Sequence, residues 1–126
     1  MILTLDFSGD TPIYMQIRNQ IVVGIAGGQL RSGEKLPTIR TLSDQFGINM
    51  MTVNKAYQLL KQEGYIITDR RAGAMVKGSL SDGLPAAAQE QLKLFISEAK
   101  MHHVSKDELL ALCADIYDIL EGGETI

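Results

Sequence analysis

At 126 residues the chain has room for one domain, or for a small domain with an appendage. A single cysteine, Cys113, excludes an internal disulfide and fits a reducing compartment. No apolar run approaches the ~18 residues of a membrane span and no secretory leader is evident, so the expectation is a soluble cytoplasmic protein with no membrane partner. The net charge of −3 hides a division: residues 1–78 carry nine Lys and Arg against six Asp and Glu, while residues 79–126 carry three against nine. Such asymmetry points to a basic partner-facing module followed by an acidic one.

In chain order, Met1 to Asp10 brings Ile2, Leu3, Leu5 and Phe7 around polar residues and reads as an extended arm. Thr11 is the expected cap of a first helix, with Pro12 in its first turn, where a missing N–H is no loss. Ile13, Ile17, Ile21 and Ile25 form its apolar stripe, and Gly27-Gly28 ends it. Gln29 to Leu36 reads as a connector anchored by Leu30 and Leu36.

Thr38 then caps a short helix over roughly residues 39–46, whose Leu42 and Phe46 point inward. Gly47 supplies the turn, Ile48 fills the gap, and Asn49 caps a third helix over roughly residues 50–63. Val53, Ala56, Tyr57 and Leu60 are its buried face; Thr52, Asn54 and Lys55 lie on or near its exposed one. Two short helices about a glycine turn are the helix-turn-helix pattern. Gly64 ends the third helix. Tyr65 to Thr68 and Ala74 to Lys77 read as strands joined by the turn Asp69 to Gly73, a hairpin wing with Arg70 and Arg71 at its tip.

Residues 79–84 are a linker by composition. Pro85 opens a fourth helix with Leu92, Phe95, Ile96 and Ala99 on one face, and residues 100–104 break it. Ser105 and Glu108 form a capping box for a fifth, striped by Leu109, Leu112, Cys113, Ile116 and Leu120 and stopped at Gly122-Gly123. The expected fold is mainly α with a small β-hairpin: a winged helix-turn-helix over residues 1–78, then a two-helix dimerisation domain over residues 85–126.

These residues resemble the GntR family of bacterial transcription regulators. The family's opening motif is matched by Pro12-Ile13-Tyr14-Met15-Gln16-Ile17. Its next motif, Gly-x-Leu-x-x-Gly-(Asp/Glu)-x-Leu-Pro-Ser-x-Arg-x-Leu-Ala, is matched from Gly28 to Ser43. Gly47 to Tyr57 and Leu60 to Gly64 follow the family's third helix and its end. The short acidic tail looks like the YtrA subfamily. The resemblance implies a homodimer on palindromic double-stranded operator DNA, more often repressing than activating, and an operon that includes ABC transporter genes. It also implies that Arg40 contacts DNA. This chain departs from the family at the start of the third helix, where methionine replaces the usual polar base reader. It departs again in the wing, where only Gly73 and Val76 of the usual pattern remain.

The candidate DNA-binding residues are Thr38, Arg40, Asn49, Met50, Met51, Thr52, Asn54, Lys55, Arg70, Arg71 and Gly73. Asn54 suits an adenine edge, Thr52 a phosphate or base, and Lys55 a phosphate. Met50 and Met51 suit thymine methyls, or else the core or a partner. Arg70 and Arg71 suit phosphate or the minor groove, or else a solvated turn. Leu92, Phe95, Ile96, Leu109, Leu112, Ile116 and Leu120 are the candidate dimerisation residues. No cofactor, metal site or catalytic constellation is expected, since His102, His103 and Cys113 have no spaced carboxylates to complete a ligand set. Two alternatives stay open: a winged-helix module that docks proteins, and a regulator that senses a small hydrophobic effector beside Phe95, Met101, Leu112 and Ile116.

Overall fold

Helix α1 spans Ile13–Ala26, α2 Ile39–Phe46 and α3 Met50–Gln62; strands β1 (Ile66–Asp69) and β2 (Gly73–Val76) follow, then α4 (Ala86–Met101) and α5 (Lys106–Glu121). The structure is a computed structural model and describes residues 3–78 and 80–122. The expected arm residue Ile2, the linker residue Ser79 and the second glycine of the Gly122-Gly123 stop lie outside the described residues.

The core joins α1, α2, α3 and the hairpin. Ile17 and Ile21 of α1 meet Leu42 of α2, Val53, Ala56, Tyr57 and Leu60 of α3, and Ile66 and Val76 of the strands. Burying a side chain such as Ile17 or Leu60 contributes roughly 1.5–3 kcal/mol, so the α1 and α3 stripes are the main source of stability. Gly24 is also buried, and the Leu30 side chain fills the space above it, 3.1 Å from where a Cβ would stand.

Helix α1 begins differently from expectation. Its cap is Pro12, which has no side-chain oxygen, so the Thr11 cap is not made. Thr11 lies one residue too early, and its carbonyl instead accepts from Gln16 Nε2 at 2.8 Å. The same amide clamps the arm: Gln16 Nε2 donates to the Asp6 carbonyl and Gln16 Oε1 accepts from the Asp6 N–H, each at 2.8 Å. One turn on, Gln20 holds both backbone groups of Thr4 in the same way. The arm thus pairs with side-chain amides rather than with a strand, and Leu3 drops into the core.

The stretch expected to be a plain connector pairs with β2. Leu36 N–H donates to the Ala74 carbonyl at 2.8 Å, Val76 N–H to Glu34 at 2.9 Å, and Gly33 N–H to Val76 at 3.0 Å. Residues 33–36 therefore cover the outer edge of β2. The strands pair antiparallel from Ile66↔Val76 to Asp69↔Gly73. They sit one residue away from the expected bounds, because the tip turn is tighter.

The C-terminal helices follow their start signals. Pro85 precedes α4, and Ser105 Oγ accepts from Glu108 N–H at 3.1 Å to cap α5. Between them His103 takes φ +60°, with His103 N–H on Lys100 and Val104 N–H on Ala99, each at 3.0 Å. This is a Schellman stop, and it carries α4 through Met101 before the chain turns. The end of α5 leans on α1, and neither α4 nor α5 contains a buried residue.

Candidate nucleic-acid interface

The geometry of α2 and α3 is set locally. Thr38 Oγ1 accepts from Thr41 N–H at 3.0 Å and lies 2.7 Å from Thr41 Oγ1. Asn49 Oδ1 accepts from Met51 N–H at 2.8 Å. Between the helices Gly47 sits at φ +64°, a conformation that would strain a side chain, and Ser43 Oγ donates to the Ile48 carbonyl. Thr38 and Asn49 belong to the candidate DNA-contact set, yet each is engaged as a cap, which makes them positioning residues first.

Tyr57 ties the unit together. It is 3% exposed, and its hydroxyl donates to the Pro37 carbonyl at 2.6 Å. Burial pushes its phenol pKa well above the ordinary tyrosine value. The bond fixes the start of α2, and with it Arg40, against the middle of α3.

With Val53, Ala56, Tyr57 and Leu60 inward, the helical period turns Met51, Asn54 and Lys55 out, while Met50, on the Tyr57 side, is exposed because it stands at the very start of α3. Met51 is 77% exposed and Met50 45%, so neither serves the core of this chain. Thr52 is half-buried, while Asn54 is exposed. The Lys55 ammonium lies 4.1 Å from the centre of the Tyr14 ring, a cation–π contact from α3 to α1. No local sequence signal pairs these two residues, since only the α1–α3 packing brings them together.

At the wing, the Asp69 carboxylate accepts from Arg71 N–H at 2.7 Å and from Ala72 N–H at 3.3 Å. Those backbone bonds hold its pKa below the usual carboxylate value. The carboxylate is thus turned onto the backbone of the turn, and the Arg70 and Arg71 side chains are left exposed. Gly73 closes the turn at φ +77°, which explains its place in the motif by backbone conformation. Among the described residues the one ion pair joins Arg18 to Glu63, so Arg40, Arg70 and Arg71 are not neutralised by acidic side chains.

On the C-terminal helices Leu92, Phe95, Ile96, Leu112 and Ile116 are exposed, and Leu109 and Leu120 are half-buried. Phe95, Met101, Leu112 and Ile116, the residues proposed to line an effector site, all lie on open surface. Among the described residues no helix is long and apolar enough to cross a membrane.

Three helices, a left-handed turn between the second and third, and a paired hairpin define a winged helix-turn-helix protein. The chain belongs to the gntR family of bacterial regulatory proteins, whose family model matches residues 13–76. It is a DNA-binding transcription regulator of the YtrA-like kind and not an enzyme. The HTH-type transcriptional repressor YtrA of Bacillus subtilis (strain 168) is 33% identical over 126 residues, covering 97% of each chain. The crystal structure of a transcriptional antiterminator from Listeria monocytogenes EGD-e has a TM-score of 0.86 at 29% identity, covering 100% of this chain and 97% of that one. The structure of AraR(DBD) in complex with operator ORX1 has a TM-score of 0.53 at 29% identity, covering 59% of this chain and 95% of that one.

Proposed function

We propose that this regulator acts as a homodimeric repressor on a palindromic operator. Residues 1–78 read DNA, residues 79–84 link, and residues 85–126 hold the two copies together. The carrying observation is the outward start of α3, where Met50, Met51 and Asn54 are exposed beside a wing whose arginines have no acidic partner among the described residues. In this reading α3 enters the major groove, Arg40 and Lys55 take phosphates, and Arg70 and Arg71 reach phosphate or the minor groove. The AraR complex supports the mode of engagement, and the name of the Bacillus subtilis relative supports repression. Blocking polymerase requires only occupancy, which suits so small a second domain.

The dimer reading rests on the exposed apolar side chains of α4 and α5, which water contacts in a single copy. Covering them with a second copy removes that cost. Two α3 helices would then stand roughly 34–36 Å apart, one turn of duplex. Fluorescence anisotropy on duplexes from the promoter of its own operon tests the reading. The full chain should bind, and Arg40→Ala with Lys55→Ala should abolish binding while the chain stays folded, with its stability lowered by no more than the loss of the Lys55–Tyr14 contact, about 1 kcal/mol. Equal binding by the double variant would overturn this surface.

A further inference from the structure

The first turn of α3 carries an uncommon set of outward side chains: two thioethers and, one turn on, one carboxamide. Met50 and Asn54 are four residues apart and Met51 and Asn54 three, so all three share one face of the helix. The oxygen of Asn49 is held by the cap. The ammonium of Lys55, the cation on this part of α3, rests over Tyr14. A guanine edge is read by Arg or Lys donating to O6 and N7; the one such group in the first two turns of α3 is Lys55, which rests over Tyr14 and is assigned above to a phosphate. The apolar feature of the major groove is the 5-methyl of thymine, and the edge that matches a carboxamide is adenine N6 and N7. Methionine is unbranched and polarisable, so it can follow a methyl group without a fixed rotamer.

We propose that α3 reads A·T base pairs, with Met50 and Met51 packed on thymine 5-methyl groups and Asn54 paired with an adjacent adenine. This rests on the DNA-reading surface proposed above and names the bases it takes. It makes Met50 and Met51 specificity residues, in place of the polar reader that occupies this turn in relatives.

The test selects sites for the full-length protein from a random-sequence duplex pool. Each thymine of the enriched site is then replaced in turn by deoxyuridine, which removes only the methyl. The wild type should lose affinity about fourfold for each methyl it covers, the equivalent of one buried methyl group. Met50→Ala with Met51→Ala should bind the thymine and deoxyuridine duplexes equally, with an unchanged melting profile and an unchanged salt dependence. Deoxyuridine duplexes that bind the wild type as tightly as thymine duplexes would overturn the base assignment alone. So would a double variant that keeps the deoxyuridine penalty. A pool from which no sequence is enriched would overturn the DNA-reading surface, and this assignment with it.

Discussion

Replacing Tyr57 by phenylalanine removes one hydroxyl from the joint between α2 and α3. The ring stays buried, so the packing of α3 on the core is kept. What goes is the 2.6 Å bond to the Pro37 carbonyl, and that carbonyl loses its protein partner. A net hydrogen bond is worth about 1 kcal/mol and an orphaned, partly buried acceptor costs somewhat more, so Tyr57→Phe should lose about 1.5 kcal/mol. For a chain of this size that is a fall in Tm of about 5 °C, read at matched protein concentration because a dimer melts by mass action. There is also an alkaline signature. The folded phenol ionises well above the ordinary value of 10.0. Its contribution is therefore fully present below pH 10 and is lost as pH rises beyond it, at about 1.4 kcal/mol per pH unit, because the unfolded chain ionises first. The wild type should lose stability against Tyr57→Phe above pH 10 and converge toward it. Urea titrations at pH 7, 9, 10.5 and 11 read both effects. Equal stabilities at pH 7, with no convergence in alkali, would refute the claim that this hydroxyl locks α2 to α3.

Four further outcomes follow from the geometry. Gln16→Ala with Gln20→Ala should free the arm, raising hydrogen exchange at the amides of Thr4 and Asp6 and costing about 2 kcal/mol, since each exposed hydrogen bond between these amides and the arm is modest. A double-mutant cycle on Arg18 and Glu63, a partly exposed pair, should give a coupling of about 0.5 kcal/mol; more than 2 kcal/mol would contradict its screening by solvent. Asp69 holds the wing turn as a carboxylate with a lowered pKa, so the turn is kept above the ordinary carboxylate value and lost as pH falls through the lower folded one. The amide resonances of Arg71 and Ala72 should therefore titrate with a midpoint below 3.8. Leu112→Glu with Ile116→Glu should sediment as a folded monomer and bind a full palindrome far more weakly than the parent; a variant that stays dimeric would move the interface elsewhere.

How far the structure was legible from sequence depended on how local its causes are. The bounds of α2, and the start of α3 with its end to within a residue, were legible because Thr38, Gly47 and Asn49 act on backbone groups within a few residues of themselves. The apolar stripes named the core of α1 and α3 for the same reason of period. The pairing of residues 33–36 with β2 was not legible, since so short a segment before Pro37 makes its bridge at Lys35 only when β2 lies beside it. The Thr11 cap failed because the helix starts one residue later, with Pro12 in the cap position. At the candidate site, exposure removed one alternative for Met50 and Met51, packing in the core, which composition leaves open. The contact of Lys55 with Tyr14 joins residues far apart in the chain and has no periodic signature.

The central claim is that α3 and the wing bind a DNA backbone as a symmetric pair, and the salt dependence of affinity tests it most directly. Four cations in each protomer, Arg40, Lys55, Arg70 and Arg71, make eight phosphate contacts in the dimer and predict a slope of log affinity against log salt of about −7. Arg70→Ala with Arg71→Ala should halve it. A flat slope for the wild type, or an unchanged slope in the double variant, would contradict the account.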